Sequence, residues 1–490
     1  MKDRKWKFVM IILAIVIMCV WFGNLAYIQE VNYGPIPGID SKSNYLCYYG
    51  DWDSDMIEKA RRFDLVIIHP RSRFKDGGLI DASLIEDIKR GTNGILGDGD
   101  DVIVIGYISI GEDDVPEVDK NGDGIWDPRE GDGTGPVYYD PENKRFVYEN
   151  NGCASWYLDE IDNESGKPGH DGKPDRNEKW GSFYVNAGDP DWQYLIKNNR
   201  ILKEGEDLYD WPGTEAIISE LGCDGLFLDT VMTANPYDGY PETGEGMAEL
   251  IEKIRAWYPD KYIIANNPHF YFDSEYEDSF ANPKHTITFR KLESVVRRSI
   301  NGAMFECFYC PENRDWNIRH IAPGLNQEAK KKDGFTVFAI DYVEEIGEED
   351  ISDQIDEVIE NQGWTDYIAP YVDLSRSVIG WDVYKHNPPK VVEGPDLFEI
   401  GSTYAKIRWM TNKPTKGKVR YGKVGAGMKE EASYDPIGEW YYTEHKIWLK
   451  GLEPETTYEY KIISICEDET GEEKEYEGEG KVNLLQLRRM

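Results

Sequence analysis

Acidic side chains supply most of the chemistry open to this sequence. Between Asp119 and Glu130 the candidate oxygen ligands fall at Asp119, Asn121, Asp123, Ile125, Asp127 and Glu130, with Gly124 in the sixth position. That is the twelve-residue spacing of a calcium loop. Ca²⁺ takes six to eight hard oxygens, so alternate side chains, the Ile125 carbonyl and a bidentate Glu130 would ligate, and Gly124 permits the sharp turn. Such a saturated cage is structural, because it leaves no open position for a reacting group. The stretch 171–178 repeats only the second half of the pattern, with Lys167 and Gly169 where the early ligands should stand.

A second set of polar residues stands at the ends of short apolar runs. In chain order these are Asp51 and Trp52, His69, Glu112, Asp229, Asn266 and Asn267, Glu306, Asp341 and Tyr342, and Tyr371. Any one of them could be a cap or a solvated side chain. Gathered at one rim, they would put several carboxyl groups within reach of a single bond, which is the requirement of general acid–base work.

The apolar runs themselves are 45–49, 64–68, 102–109, 225–229, 262–266, 302–306, 335–340 and 366–371. They read as continuous strands buried on both faces, as a parallel sheet requires, and helical patterns such as Met247 to Trp257 separate them. Eight such units predict an α/β fold, a (β/α)₈ TIM barrel over residues 44–386, whose sites collect at the carboxyl ends of the strands. A doubly wound open sheet is the alternative, but no glycine-rich phosphate loop comes after the first strand. The connection after the third strand, about residues 113–182, is too long for a plain loop and must hold its own structure around the calcium pattern.

Lys2, Arg4, Lys5 and Lys7 precede an apolar run beginning at Phe8, and no further charge occurs until Glu30. Residues 1–30 therefore predict an N-terminal transmembrane helix or a signal segment, with the body exported to the outer face of the membrane, or secreted if the segment is cleaved. A Gly- and Pro-containing linker, 31–43, comes next. Cys307 and Cys310 form a lone C-x-x-C that reads as a local disulfide or as buried thiols, with no metal expected.

After Asn387-Pro-Pro389 the helical spacing gives way to strands with turn residues between them, predicting an all-β sandwich over 387–490. Its Leu452-Glu-Pro-Glu-Thr-Thr-Tyr458 segment and core Trp409 resemble a fibronectin type III domain, of the version that precedes the catalytic domain of purple acid phosphatases. The resemblance implies a spacer or packing module.

Against 55 Lys and Arg stand 92 Asp and Glu, a net charge of -37, so nucleic acid would be repelled over most of the surface. Fifteen Trp and 32 Tyr offer flat faces for sugar rings.

Three stretches carry a more specific likeness. Val104-Ile-Gly-Tyr107-Ile-Ser-Ile-Gly-Glu112, Leu221-Gly-Cys-Asp-Gly-Leu-Phe-Leu-Asp229 and Phe305-Glu306-Cys307 resemble the third, fourth and sixth strands of glycoside hydrolase family 114, the endo-α-1,4-polygalactosaminidase-like barrels. The likeness spans roughly residues 44–384, and the chain departs from it in reading Asp229-Thr-Val-Met where the family has an Asp-Asn-x-Asp run. It implies a glycosidase in which Asp229 is the nucleophile and Glu306 the general acid/base, consistent with the two carboxyl groups that glycoside cleavage needs. Asp51, Trp52, His69, Tyr107, Glu112, Asn266, Asn267, Asp341 and Tyr371 are then expected to bind substrate, an amino-sugar polysaccharide whose cationic form suits an acidic cleft. Burial against Phe305 or Phe308 would keep Glu306 protonated. No cofactor is expected for the reaction, only structural Ca²⁺. Two readings compete: pairing of Asp229 and Glu306 with Arg290 or Lys291, and a membrane-tethered glycan-binding protein that hydrolyses nothing. A deacetylase would need a zinc constellation, and the seven His are scattered without ligand spacing.

Overall fold

The structure is a computed structural model. It describes residues 34–486 except 42, 44, 62, 92, 98–100, 116, 119–126, 129–132, 164–165, 201–210, 237–238, 273–288, 348–349, 376–390, 434–441, 468–472 and 478–482.

Eight parallel strands form the central sheet: β1 (Tyr45–Tyr48), β2 (Leu65–Ile68), β3 (Ile103–Ser109), β4 (Gly225–Asp229), β5 (Tyr262–Asn266), β6 (Gly302–Glu306), β7 (Thr336–Tyr342) and β8 (Thr365–Ala369). Each pairs with the next in chain order. The strands are short and apolar because both faces are covered: every residue of β1, β2 and β7 is buried. Helices such as Ala82–Lys89 and Gly244–Trp257 turn an apolar stripe onto this sheet, burying Leu84, Ile85 and Ile88 in the first and Met247, Leu250, Ile251 and Ile254 in the second.

The molecule departs from the expected fold at the barrel seam. The barrel is nearly closed rather than fully laddered: among the described residues no ladder joins β8 to β1, and the seam is spanned by the Tyr45 and Tyr367 rings, 5.4 Å apart, and by the Tyr49 N–H donating to the Leu374 carbonyl at 2.9 Å. Among the described residues no helix is long and apolar enough to cross a membrane, and the segment expected to do so, residues 1–30, lies outside them.

The connection after β3 carries antiparallel pairs of its own. Gly135–Asp140 pairs with Arg145–Cys153, and Phe183–Tyr184 pairs back onto Glu112–Asp113, which returns the insertion to the barrel rim. Of the calcium-loop residues, Asp119, Asn121, Asp123, Ile125 and Glu130 lie outside the described residues, and Asp127 is described only as part of the short strand Asp127–Pro128.

The C-terminal region, expected as an all-β sandwich, forms antiparallel sheets that share one long strand. The first half of Ala405–Lys423 pairs with Val391–Ile400 and Tyr442–Leu449, and its second half with Glu430–Ser433 and Thr457–Glu467. Ile407, Trp409, Val419, Ile447 and Tyr460 form the core between them. This region meets the barrel through Lys446 with Asp64 and Arg408 with Asp40. Asp64 precedes β2, and the Asp40 carbonyl is held by Thr365 at the start of β8. The contact is thus at the amino ends of the strands.

Candidate active site

Alternation along the strands decides which side chains reach the barrel mouth, since successive residues point to opposite faces. Cys47 and Tyr49, Tyr107 and Ser109, Phe227 and Asp229, Met304 and Glu306, and Ile340 and Tyr342 are each two apart and all line one cavity of about 390 Å³ at the carboxyl ends.

Asn266 ties its floor together. The Asn266 Nδ2 donates to Asp229 Oδ1 at 2.9 Å and to Glu306 Oε2 at 2.7 Å. These two bonds laid end to end limit the separation of the two oxygens to about 5.6 Å. With amide N–H directions about 120° apart the separation is about 5 Å. Each carboxylate has a second partner. The Tyr107 hydroxyl donates to Asp229 Oδ2 at 2.9 Å, and the Tyr342 hydroxyl donates to Glu306 Oε1 at 2.8 Å. The Glu306 backbone N–H donates to Asn267 Oδ1 at 2.9 Å.

Three strand ends are bent alike. The residue after each of Asp229, Asn266 and Glu306 is left-handed: Thr230 at φ 60°, Asn267 at φ 50° and Cys307 at φ 60°. Such backbone costs about 1–3 kcal/mol at a non-glycine residue and persists only where surroundings hold it. Here Thr230 Oγ1 accepts from the N–H groups of Ile110 and Gly111, while the N–H groups of Asn267 and Cys307 donate to the carbonyls of Met304 and Ile340. A Cβ on Gly111 would lie 2.1 Å from the Thr230 carbonyl oxygen, so only glycine lets these two strand ends approach. The turns stop each strand abruptly and leave its last side chain facing the cavity.

Burial first, and then the charge of Asp229, raises the pKa of Glu306, with the bonds from Asn266 and Tyr342 opposing the rise. Burial also pushes the Tyr107 and Tyr342 phenols well above their ordinary range, so both stay donors. His69 stacks on Tyr107 at 5.1 Å, and burial with the nearby Arg71 charge lowers its pKa to about 3. It is therefore neutral, and its Nδ1 accepts from the Arg71 N–H at 3.2 Å, which leaves the proton on Nε2.

Of the residues expected to bind substrate, His69, Tyr107, Glu112, Asn266 and Asn267 line the cavity. Four do not. Asp51 is exposed outside it, and Trp52 is fully buried edge-on to Tyr48 at 5.1 Å. Asp341 has the wrong parity: between Ile340 and Tyr342 it faces outward, accepting from the Tyr309 N–H and from Gln354 Nε2. Tyr371, 40% exposed, lies past the rim. Phe305 likewise faces away from Glu306, stacked on His269 at 4.5 Å, so the enclosure of Glu306 comes from the cavity wall instead. The partners of the two carboxylates are an amide and two phenols, all neutral. Lys291 is exposed, and the Arg290 side chain lies outside the described residues.

The cavity also contains residues that carried no sequence signal. Asn177, Trp180 and Ser182 come from the insertion, and Trp211 from the segment before β4. Asn177 Nδ2 and Ser182 Oγ both bond the Glu112 carboxylate, whose pKa burial raises against those two bonds. The Arg71 guanidinium lies 4.7 Å from the Trp211 ring centroid. Among the described residues the cluster able to offer three metal ligands is Cys307, Cys310 and Asp341, but Cys307 and Cys310 are joined in a disulfide.

No family model matches the chain, and no curated protein does. Among solved structures it is similar to the glycoside hydrolase domain of PelA from Pseudomonas aeruginosa, 13% identical over 69% of this chain and 98% of that one, with a TM-score of 0.38. A chitinase from Bacillus thuringiensis is 9% identical over 91% of this chain and 85% of that one, with a TM-score of 0.27. Both of these neighbours are glycoside hydrolases.

Proposed function

We propose that this protein is a retaining, endo-acting glycoside hydrolase whose substrate is a polysaccharide containing amino sugars. The observation that carries the reading is the Asn266 amide, one nitrogen bonded to the carboxylates of both Asp229 and Glu306. A spacing near 5 Å leaves no room for a water between carboxylate and sugar, which inversion requires, and suits direct attack. Asp229, oriented by Tyr107 and Asn266, attacks the anomeric carbon as the glycosidic bond breaks. Glu306 gives its proton to the departing oxygen, then removes one from the water that releases the sugar from Asp229. Its raised pKa favours the protonated start that the first step needs.

The cavity's further carboxyl groups, from Glu112, Asp114 and Asp373, make it suited to a cationic chain. The Cys307–Cys310 disulfide accords with work in an oxidising compartment outside the cytoplasm.

The test is reducing-end release from partially deacetylated α-1,4-linked galactosamine polymer by the wild type, Asp229→Asn and Glu306→Gln. Loss of activity in both variants supports the reading, and equal activity in all three rejects it. NMR of the first anomer released decides stereochemistry, with retention expected.

A further inference from the structure

Among the described residues, several large apolar side chains are exposed, but Trp180 alone of them borders the cavity, with 56% of its surface open. Trp316 and Tyr194, also exposed, lie elsewhere. Trp211, the other cavity indole, is already packed: Arg71 covers it, His69 meets it at 5.1 Å, and its Nε1 donates to the Asp114 carbonyl at 2.8 Å.

The turn that presents Trp180 is anchored. The Asn177 N–H donates to the Ser182 carbonyl at 2.8 Å, and the Gly181 N–H to the Asn177 carbonyl at 2.7 Å. Asn177 Oδ1 accepts from the Lys179 N–H at 3.1 Å, and Arg176 Nε donates to the Gly181 carbonyl at 3.1 Å. Glu112 clamps both ends through Asn177 and Ser182. An exposed indole adds little to folding stability, yet this one is held in place at the mouth of an acidic cleft. Preorganised aromatic area of that kind favours binding, because little freedom remains to be lost. The Lys179 ammonium lies 5.3 Å from the ring centroid.

We propose that Trp180 is a stacking platform for a sugar unit beyond the carboxylate pair, through which the insertion after β3 gives the site its preference for long chains. The proposal rests on the glycosidase reading only for the identity of the ligand as a sugar chain. The apolar face of a pyranose ring would lie on the indole, and a protonated amino group would gain from the ring's negative face. The platform is a binding element, remote from the reacting atoms.

The experiment uses the full chain carrying Glu306→Gln and α-1,4-galactosamine oligomers of two and eight units, with binding measured by calorimetry. Adding Trp180→Ala should weaken binding of the octamer about tenfold and of the dimer less than about threefold, while Trp180→Phe restores most of the octamer affinity. Unchanged melting temperatures would confirm intact folding. Octamer binding unaffected by Trp180→Ala, an equal loss for dimer and octamer, or no binding of either oligomer overturns the proposal. Oligomers that bind through Trp180 but are not hydrolysed by the wild type would leave the platform standing and remove the glycosidase.

Discussion

Replacing Asn266 by Ala tests the shared amide directly. One nitrogen serves both carboxylates, at 2.9 and 2.7 Å, so a single truncation removes two hydrogen bonds to acidic acceptors. Bonds to charged groups are worth about 1.5–3 kcal/mol each. The amide lowers the pKa of Glu306 against the larger effects of burial and of Asp229, so its loss lets that pKa climb further. At about 1.4 kcal/mol per unit, the upper bound of the change is about one to two units. Glu306 is required protonated for the first step, so a higher pKa carries the active form to higher pH and the alkaline limb of kcat/KM moves upward. The rate itself should fall by about 10²-fold or more, because Asp229 and Glu306 are no longer held at a fixed spacing. Asn266→Asp should move the limb further in the same direction, since it replaces a donor with a third negative charge. The assay is a pH profile of reducing-end release with thermal melting as the folding control. A folded Asn266→Ala protein with an unmoved alkaline limb would refute the linkage between these groups.

Further outcomes are expected elsewhere in the molecule. Tyr342→Phe removes a donor to Glu306 and should shift the alkaline limb of kcat/KM upward, with a rate loss of about tenfold. Glu160 and Asp175 in the insertion and Glu242 in the segment after β4 have pKa values that burial raises to about 8, 7 and 7. The native state then binds more protons than the unfolded chain between about pH 4 and 8, so stability falls as pH rises through that window. Melting temperature should be higher at pH 5.5 than at pH 8.5 by about 5 °C or more, and a flat profile contradicts the burial. Reducing the Cys307–Cys310 disulfide should cost about 2 kcal/mol of stability, read as a lower melting temperature in dithiothreitol. Calcium removal by a chelator should lower the melting temperature through the 119–130 loop while leaving kcat unchanged well below that temperature.

Much of the scaffold is legible without coordinates because parallel strands buried on both faces must be continuous apolar runs. All eight runs correspond to barrel strands within two residues at either end, and Asp229 and Glu306 close β4 and β6. The polar residue that ends such a run is legible too, since at the end of a buried strand it has few places to go. Which of two adjacent polar residues faces the cavity is not visible, because an error of one residue in strand phase reverses inside and outside. Asp341 and Tyr342 illustrate this: the sequence pattern points to the carboxylate as a substrate ligand, and the phenol beside it is the one that reaches Glu306.

The amino-acid sequence alone determined the strand count, the acidic character of the chain and the two carboxyl groups that end β4 and β6. Tertiary structure alone decided that one amide joins those two groups, that His69 is neutral, and that Trp180 and Trp211 stand at the mouth. The physical reason is range. Strand formation depends on burial patterns within a few neighbouring residues, whereas the Asn266 bonds span 37 and 40 positions and the Glu112 bonds 65 and 70. Contacts at such separations exist only once the barrel has brought its strand ends to one rim and the insertion has folded back over them.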